Sequence, residues 1–178
     1  MLFGRLFGGE RRRRERVAAA HYEAALGWAR DPALYEGGVP DTFDGRFEMM
    51  VWHLVPIVRR LQREGAEGRE VAQLLFDGFL DDMKKAMREA GVGDIAVPKR
   101  LQKMVRVWFG RVRASEDVGT APNASQLLPI LERNLYPDTD PPPLDGAAER
   151  IARRWVAVAR TDADAMVQGR TPYTEEPA

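Results

Sequence analysis

Two histidines, two serines and no cysteine limit the chemistry open to this chain. Without a thiol there is no Cys nucleophile, thiolate zinc site, iron–sulfur cluster or disulfide framework. A carboxylate-bridged di-iron bundle needs Glu-x-x-His pairs on one helix face, and neither His21 nor His53 has a Glu three residues ahead of it. The two do not form an HExxH pair either. The run Asp41-Thr42-Phe43-Asp44-Gly45 puts a Phe where an EF-hand loop needs its second oxygen ligand. GVGD at 91–94 follows a helical pattern instead of a strand and lacks the GK[ST] of a phosphate loop. Ser115 and Ser125 stand in or beside linker sequence, outside any GxSxG. The carboxylate pairs Asp81-Asp82 and Asp41/Asp44 fit a solvated helix surface. His53 lies beside an apolar stripe and reads as a buried histidine with a hydrogen-bond partner. These residues predict a protein that is not an enzyme, with no metal and no cofactor.

Binding surfaces remain, and three stand out. Lys99, Lys103, Arg106 and Arg113 recur at spacings of 4, 3 and 7, a stripe on one helix face. Residues 99–113 hold six basic side chains and no acid, so the stripe is either a face turned to the acidic stretch 64–82 or a docking strip for RNA, anionic lipid or an acidic partner. Leu2, Phe3, Leu6 and Phe7, followed by Arg11, Arg12, Arg13 and Arg14, read as an arm that folds back on the domain or stays disordered, with an apolar wedge and basic collar for weak contact with an anionic membrane as the sharper alternative. Met49, Met50, Met83, Met87 and Met104 fall on three successive helical segments. They read as core, with a client groove as the sharper alternative.

Apolar spacing is helical nearly throughout, and no strand alternation is visible. The pattern predicts an all-α fold, a single compact helical domain of about six helices. Residues 1–16 read as an apolar/basic N-terminal arm, 17–165 as the helical domain and 166–178 as a short disordered tail. Helices are expected over about 10–30, 43–64, 67–90, 97–114, 125–135 and 144–161. The first should bury Val17, Ala20, Ala24 and Trp28, and end at Asp31-Pro32. The second should bury one face, capped by Asp41 or Thr42 and kinked at Pro56. Phe109 falls on the apolar face of the fourth, and Gly91 suits a left-handed helix end. Acids and bases balance at 27 each, the start is unlike a secretory signal, and the longest apolar run, Met49 to Val58, is too short to span a bilayer. A soluble chain in a reducing compartment is expected. Arg outnumbers Lys 23 to 4, a hint of a bacterial source.

Two segments carry a resemblance. PDTFDGRFEMMVWHL at 40–54 and FLDDMKKAMREAGVGDIAVPKRLQKMVRVWFGR at 79–111 resemble the ubiquinol–cytochrome c chaperone family, and LERNLY and AERIARRW extend the likeness over about residues 20–160. REAGVGD…VPK is its most specific element. The family pattern falls on Asp41, Asp44, Arg46, His53, Arg88, Glu89, Gly91, Gly93, Asp94, Pro98, Gly110 and Arg111. The chain departs from it at Phe109, where a tyrosine is common, at Lys84, where an acid is common, and at Pro56 inside the second helix. The resemblance implies an all-helical, non-catalytic assembly chaperone for complex III. It implies binding to newly made cytochrome b, with a small partner factor and the ribosome as further partners, and no DNA. It places the chain in the cytoplasm, peripheral at the inner face of the inner membrane, or in the mitochondrial matrix if eukaryotic. The competing reading is a ribosome- or RNA-associated module acting through the basic stripe.

Overall fold

A computed structural model describes residues 3–171, with side chains from residue 9 onward. Eight helices occur among the described residues, and no strand. They are α1 (Phe3–Ala29), α2 (Pro32–Glu36), α3 (Phe43–Gln62), α4 (Gly65–Glu89), α5 (Val97–Asp117), α6 (Ala124–Leu135), α7 (Asp145–Arg160) and α8 (Ala163–Gln168). The six longer ones match the six expected from apolar spacing; α2 and α8, of 5 and 6 residues, are additions.

α3 organises the rest. Every residue from Phe47 to Val58 is buried, so it is apolar all round instead of on one face as its spacing suggested. α1 and α4 pack on one side of it and α7 with α6 on the other, while α5 lies against both α3 and α4. Met49, Val51, Trp52, Leu54, Val55, Ile57 and Leu61 are fully covered. Each such side chain contributes on the order of 1.5–3 kcal/mol relative to exposure.

A helix covered on all sides must find partners for its polar atoms within the protein. Thr42 caps the first turn by accepting from Gly45 N at 3.1 Å, while Asp41 instead takes a forked pair from Arg46 at 2.5 and 3.1 Å. Pro56 sits inside α3 and brings no N–H to the carbonyl of Trp52 four residues back. The indole Nε1–H of Trp155 on α7 donates to that oxygen at 2.8 Å, and the two rings lie 5.9 Å apart. The gap left by a proline thus becomes the docking point of a neighbouring helix.

His53 is held by two groups. Its Nδ1 lies 2.7 Å from Met49 O and its Nε2 lies 3.1 Å from Arg154 Nη1. Arginine only donates, so Nε2 accepts and Nδ1 carries the proton. The same Arg154 donates to Trp28 O at 3.0 Å and to Asp31 Oδ2 at 2.5 Å, with its guanidinium 5.7 Å from the Trp28 ring centroid. Asp31 also caps α2 by accepting from Ala33 N at 3.0 Å, and it pairs with Arg150 at 3.3 Å. Burial alone would raise the Asp31 carboxyl; the Ala33 amide and the two arginines outweigh it and hold the pKa below its ordinary value. One arginine therefore ties the end of α1, the start of α2, α3 and α7 together.

Glu48, the single acid in the buried run of α3, meets Arg111 of α5 in a two-pronged pair at 2.6 and 2.9 Å. Arg59, further along, donates to Ser115 O at 2.6 Å and Gly119 O at 3.0 Å and closes the far end of α5.

Several expectations need correction. α1 begins within the segment read as an arm, since Arg13 pairs with Glu67 and Arg14 with Glu70 at 2.7 Å, both on α4. Its buried stripe is Val17, Ala18, His21, Ala25 and Ala29, one position round from the residues expected; Ala20, Ala24 and Trp28 are only partly covered. Small side chains there allow close helix approach, and His21 is fully buried with Nε2 on Met166 O at 2.8 Å. Met166 itself is fully buried, so the disordered tail cannot begin at 166; residues 172–178 lie outside the described residues. Phe109 is 59% exposed instead of facing the core.

Both buried histidines are neutral in the fold, which carries a pH signature. Burial, then the positive Arg154, pulls His53 down to about 3 from 6.5; burial also lowers His21. A depressed imidazole contributes stability that is complete above the unfolded pKa near 6.5 and lost as pH falls toward 3. By pH 5 His53 alone should cost ~2 kcal/mol. Chemical denaturation at pH 7.5 and pH 5 should show that loss, and His53→Gln should flatten the dependence; an unchanged slope would remove the neutral-histidine account. The Glu48–Arg111 pair yields a second prediction. Arg111→Met leaves a buried carboxylate unpaired and should cost about 3–5 kcal/mol, while adding Glu48→Leu should recover most of it. Equal stability of the single and double variants would show the pair to be uncoupled.

Candidate functional site

The Glu48–Arg111 pair sits in the wall of an open groove of about 790 Å³ between the start of α3, the middle of α5 and the end of α6. Phe47, Met87 and Met104 are its buried floor. Phe43, 40% exposed at the first position of α3, forms an apolar lip. Arg100 and Lys103 project along the opposite edge from α5, and Asn134 and Leu135 close the end on α6. The groove's α3 side depends on Gly45. A Cβ there would stand 2.0 Å from Pro40 O, so the loop before α3 folds tightly against the helix only because that side chain is absent.

The electrostatics are simple. Glu48 is already neutralised by Arg111, which leaves Asp44 near the helix start and the cations Arg100 and Lys103 on the edge. The Nδ2 of Asn134 is buried without a hydrogen-bond partner. No Ser or His lines the groove. Among the described residues no group of three His, Asp or Glu is placed to hold a metal ion. Apolar floor and cationic edge make a surface for binding a chain segment.

The residues singled out from sequence distribute unevenly over this geometry. Of the five methionines, Met87 and Met104 reach the groove, while Met49, Met50 and Met83 are buried in the core away from it. Helical spacing could not separate them, because a helix buried all round has no client face. Of the basic stripe, Lys103 borders the groove, whereas Lys99, Arg106 and Arg113 are exposed and do not line it. The collar is partly committed: Arg13 and Arg14 pair with α4, and Arg11 pairs with Glu15 at 2.9 Å. Arg12 is exposed on the same helix. Leu2 and the side chains of Phe3, Leu6 and Phe7 lie outside the described residues.

The family-pattern residues mostly build the frame. Asp41 and Arg46 pair beside Tyr35, Asp44 lies in the first turn of α3, and His53 is in the Arg154 network. Arg88 pairs with Asp94 at 3.0 Å across the α4–α5 corner, and Lys85 with Glu89 at 3.9 Å. Gly91, at φ +81°, ends α4 with Val92 N on Met87 O and its own N on Arg88 O, a Schellman arrangement. Gly93 accepts from Ala96 N at 2.8 Å, and Pro98 stands in the first turn of α5. Gly110 precedes Arg111 on α5 with open space about it. Sequence reasoning missed Glu48, Phe43, Asn134 and Arg154. A lone acid inside FEMMVW was the available sign, since a charge in an apolar run must have a partner.

No curated protein sequence matches the chain. The crystal structure of the Cbp3 homolog from Brucella abortus is similar, with 30% identity, a TM-score of 0.80, and coverage of 95% of this chain and 94% of that one. The profile of the ubiquinol-cytochrome C chaperone family matches residues 36–173, from the end of α2 through α8. That span takes in the groove, the α4–α5 corner and, of the Arg154 network, His53, Arg150 and Arg154, and the chain belongs to the ubiquinol-cytochrome C chaperone family.

Proposed function

We propose that the chain is a non-catalytic assembly chaperone for the ubiquinol–cytochrome c reductase, and that it shields an apolar segment of newly made cytochrome b in the α3–α5–α6 groove. Family membership supports the assembly role. The groove's lining carries the assignment of the site: Phe43, Phe47, Met87 and Met104 offer a continuous apolar surface with unbranched, adaptable side chains at its base. An unassembled membrane helix exposes side chains that need such cover. Its carbonyl end, the negative pole of the helix, suits Arg100 and Lys103. The groove takes several side chains of a client, which suits temporary shielding more than permanent burial. A small partner factor and the ribosome belong to the same reading through the family.

The test is a pull-down of the tagged full chain from gently solubilised native membranes, at low and high salt, with wild type and Phe43→Asp. An acid at the first position of α3 suits the helix dipole, so this variant keeps its stability. Cytochrome b should be captured at both salts by wild type, and about tenfold less by Phe43→Asp. Capture of ribosomal proteins alone, lost at high salt, would replace this reading with an RNA-associated module.

A further inference from the structure

The α4–α5 corner presents Ile95 to solvent at 98% exposure. The other exposed large apolar side chains among the described residues, Phe43 and Phe109, are each partly covered. The corner is built, not loose. The Schellman end at Gly91, the Ala96 N to Gly93 O bond and the Arg88–Asp94 pair hold residues 90–96 in a fixed turn with Ile95 outward. Asp94, the one acid in that turn, is neutralised by Arg88.

Directly after the corner runs the exposed face of α5. Lys99, Lys103, Arg106 and Arg113 are exposed and stand opposite the buried Met104 and Trp108. At 1.5 Å per residue they mark a strip about 21 Å long. No ion pair among the described residues includes any of them. The acids of the stretch 64–82 are turned elsewhere: Glu67, Glu70 and Asp82 to Arg13, Arg14 and Tyr22 of α1, Glu64 to Arg60, and Asp77 and Asp81 to Gln73 and Lys84 on their own helix. The expectation that this face meets the acidic stretch therefore fails. The first turn of α5 contains no acid, although acids are favoured there, so the cations Lys99 and Arg100 do not help the helix form.

We propose that the Ile95 corner and the cationic face of α5 form a docking surface for an anionic bilayer, adjoining the client groove at Lys103. Ile95 enters the boundary between headgroups and acyl chains, and Lys99, Lys103, Arg106 and Arg113 face lipid phosphates. An RNA contact would use the cations and gain nothing from a fully exposed isoleucine ahead of them. One wedge and four cations give weak, reversible, salt-sensitive attachment. Lys103 also borders the groove, so docking in this way would hold the groove beside the membrane surface.

The full chain would be sedimented with vesicles of phosphatidylcholine alone and with phosphatidylglycerol added, at low and physiological salt. Binding should require phosphatidylglycerol and fall as salt rises. Ile95→Asp, at a position with no packing to lose, should weaken it about tenfold. Glutamine at Lys99, Lys103, Arg106 and Arg113 together should abolish it at physiological salt. The chain has no cysteine, so Ile95→Cys carries a single environment-sensitive dye, which should shift to the blue only on the anionic vesicles. Vesicle binding unchanged in Ile95→Asp would overturn the proposal and assign attachment to another segment such as the N-terminus. Binding to a ribosomal RNA fragment without vesicle binding would overturn it in favour of an RNA contact.

Discussion

Everything in this fold answers to the burial of α3. Its side chains are covered from Phe47 to Val58, so the polar groups it carries look to other helices for partners. There are few such groups; the Trp52 indole N–H finds none, and the others recruit α5 and α7. Glu48 brings α5 through Arg111, His53 brings α7 through Arg154, and the carbonyl freed at Pro56 brings Trp155. Arg59, at the edge of the buried run, reaches the far end of α5. Hydrophobic burial is non-directional and would tolerate several arrangements of the surrounding helices. These polar contacts remove that freedom, since leaving any one unmet costs a full desolvation penalty.

The same logic explains why the groove lies where it does. Glu48 pins α5 near the start of α3, and Gly45 lets the preceding loop fold against Pro40, so the three walls are set by contacts behind them. The ion pair itself adds little net stability compared with an apolar replacement, because two charges have been taken out of water. Its effect is positional. The apolar floor of Phe47, Met87 and Met104 can then stay open to a client without depending on that client for its shape.

Much of this was legible in the sequence, and the failures share a cause. Periodicity placed six helices and the apolar faces of α4 and α7, and the LERNLY, REAGVGD and VPK segments pointed to the family. Periodicity describes one helix against an average interior, so it could not tell that α3 has no exposed side or that Phe109 turns outward. The face of α1 was misread by one position because alanine and His21 carry weak hydropathy signals although they pack closest. α8 was folded into the tail because a six-residue helix is too short for a periodic pattern, yet Asp162 caps it with bonds to Asp164 N and Ala165 N. The groove was out of reach for a further reason. Its residues come from four segments between Pro40 and Pro137, on α3 with its preceding loop, α4, α5 and the end of α6, and no single-helix pattern brings them together.

Charge shows most plainly how totals mislead. Acids and bases cancel at 27 each, yet the fold does not mix them. Arg13 and Arg14 of α1 consume acids of α4, while residues 136–149 hold four acids and no base. On α5, Lys99, Lys103, Arg106 and Arg113 enter no ion pair among the described residues. A molecule with no net charge has no long-range pull on an anionic surface, and a local patch acts only within about 8–10 Å at cellular salt. Such a patch orients more than it attracts. On α5 three faces share one helix: Met104 and Trp108 point to the core, Val107 and Arg111 line the groove, and Lys99 and Arg106 face water. Orienting the cationic face therefore sets the direction of the groove as well, because both belong to the same rigid rod.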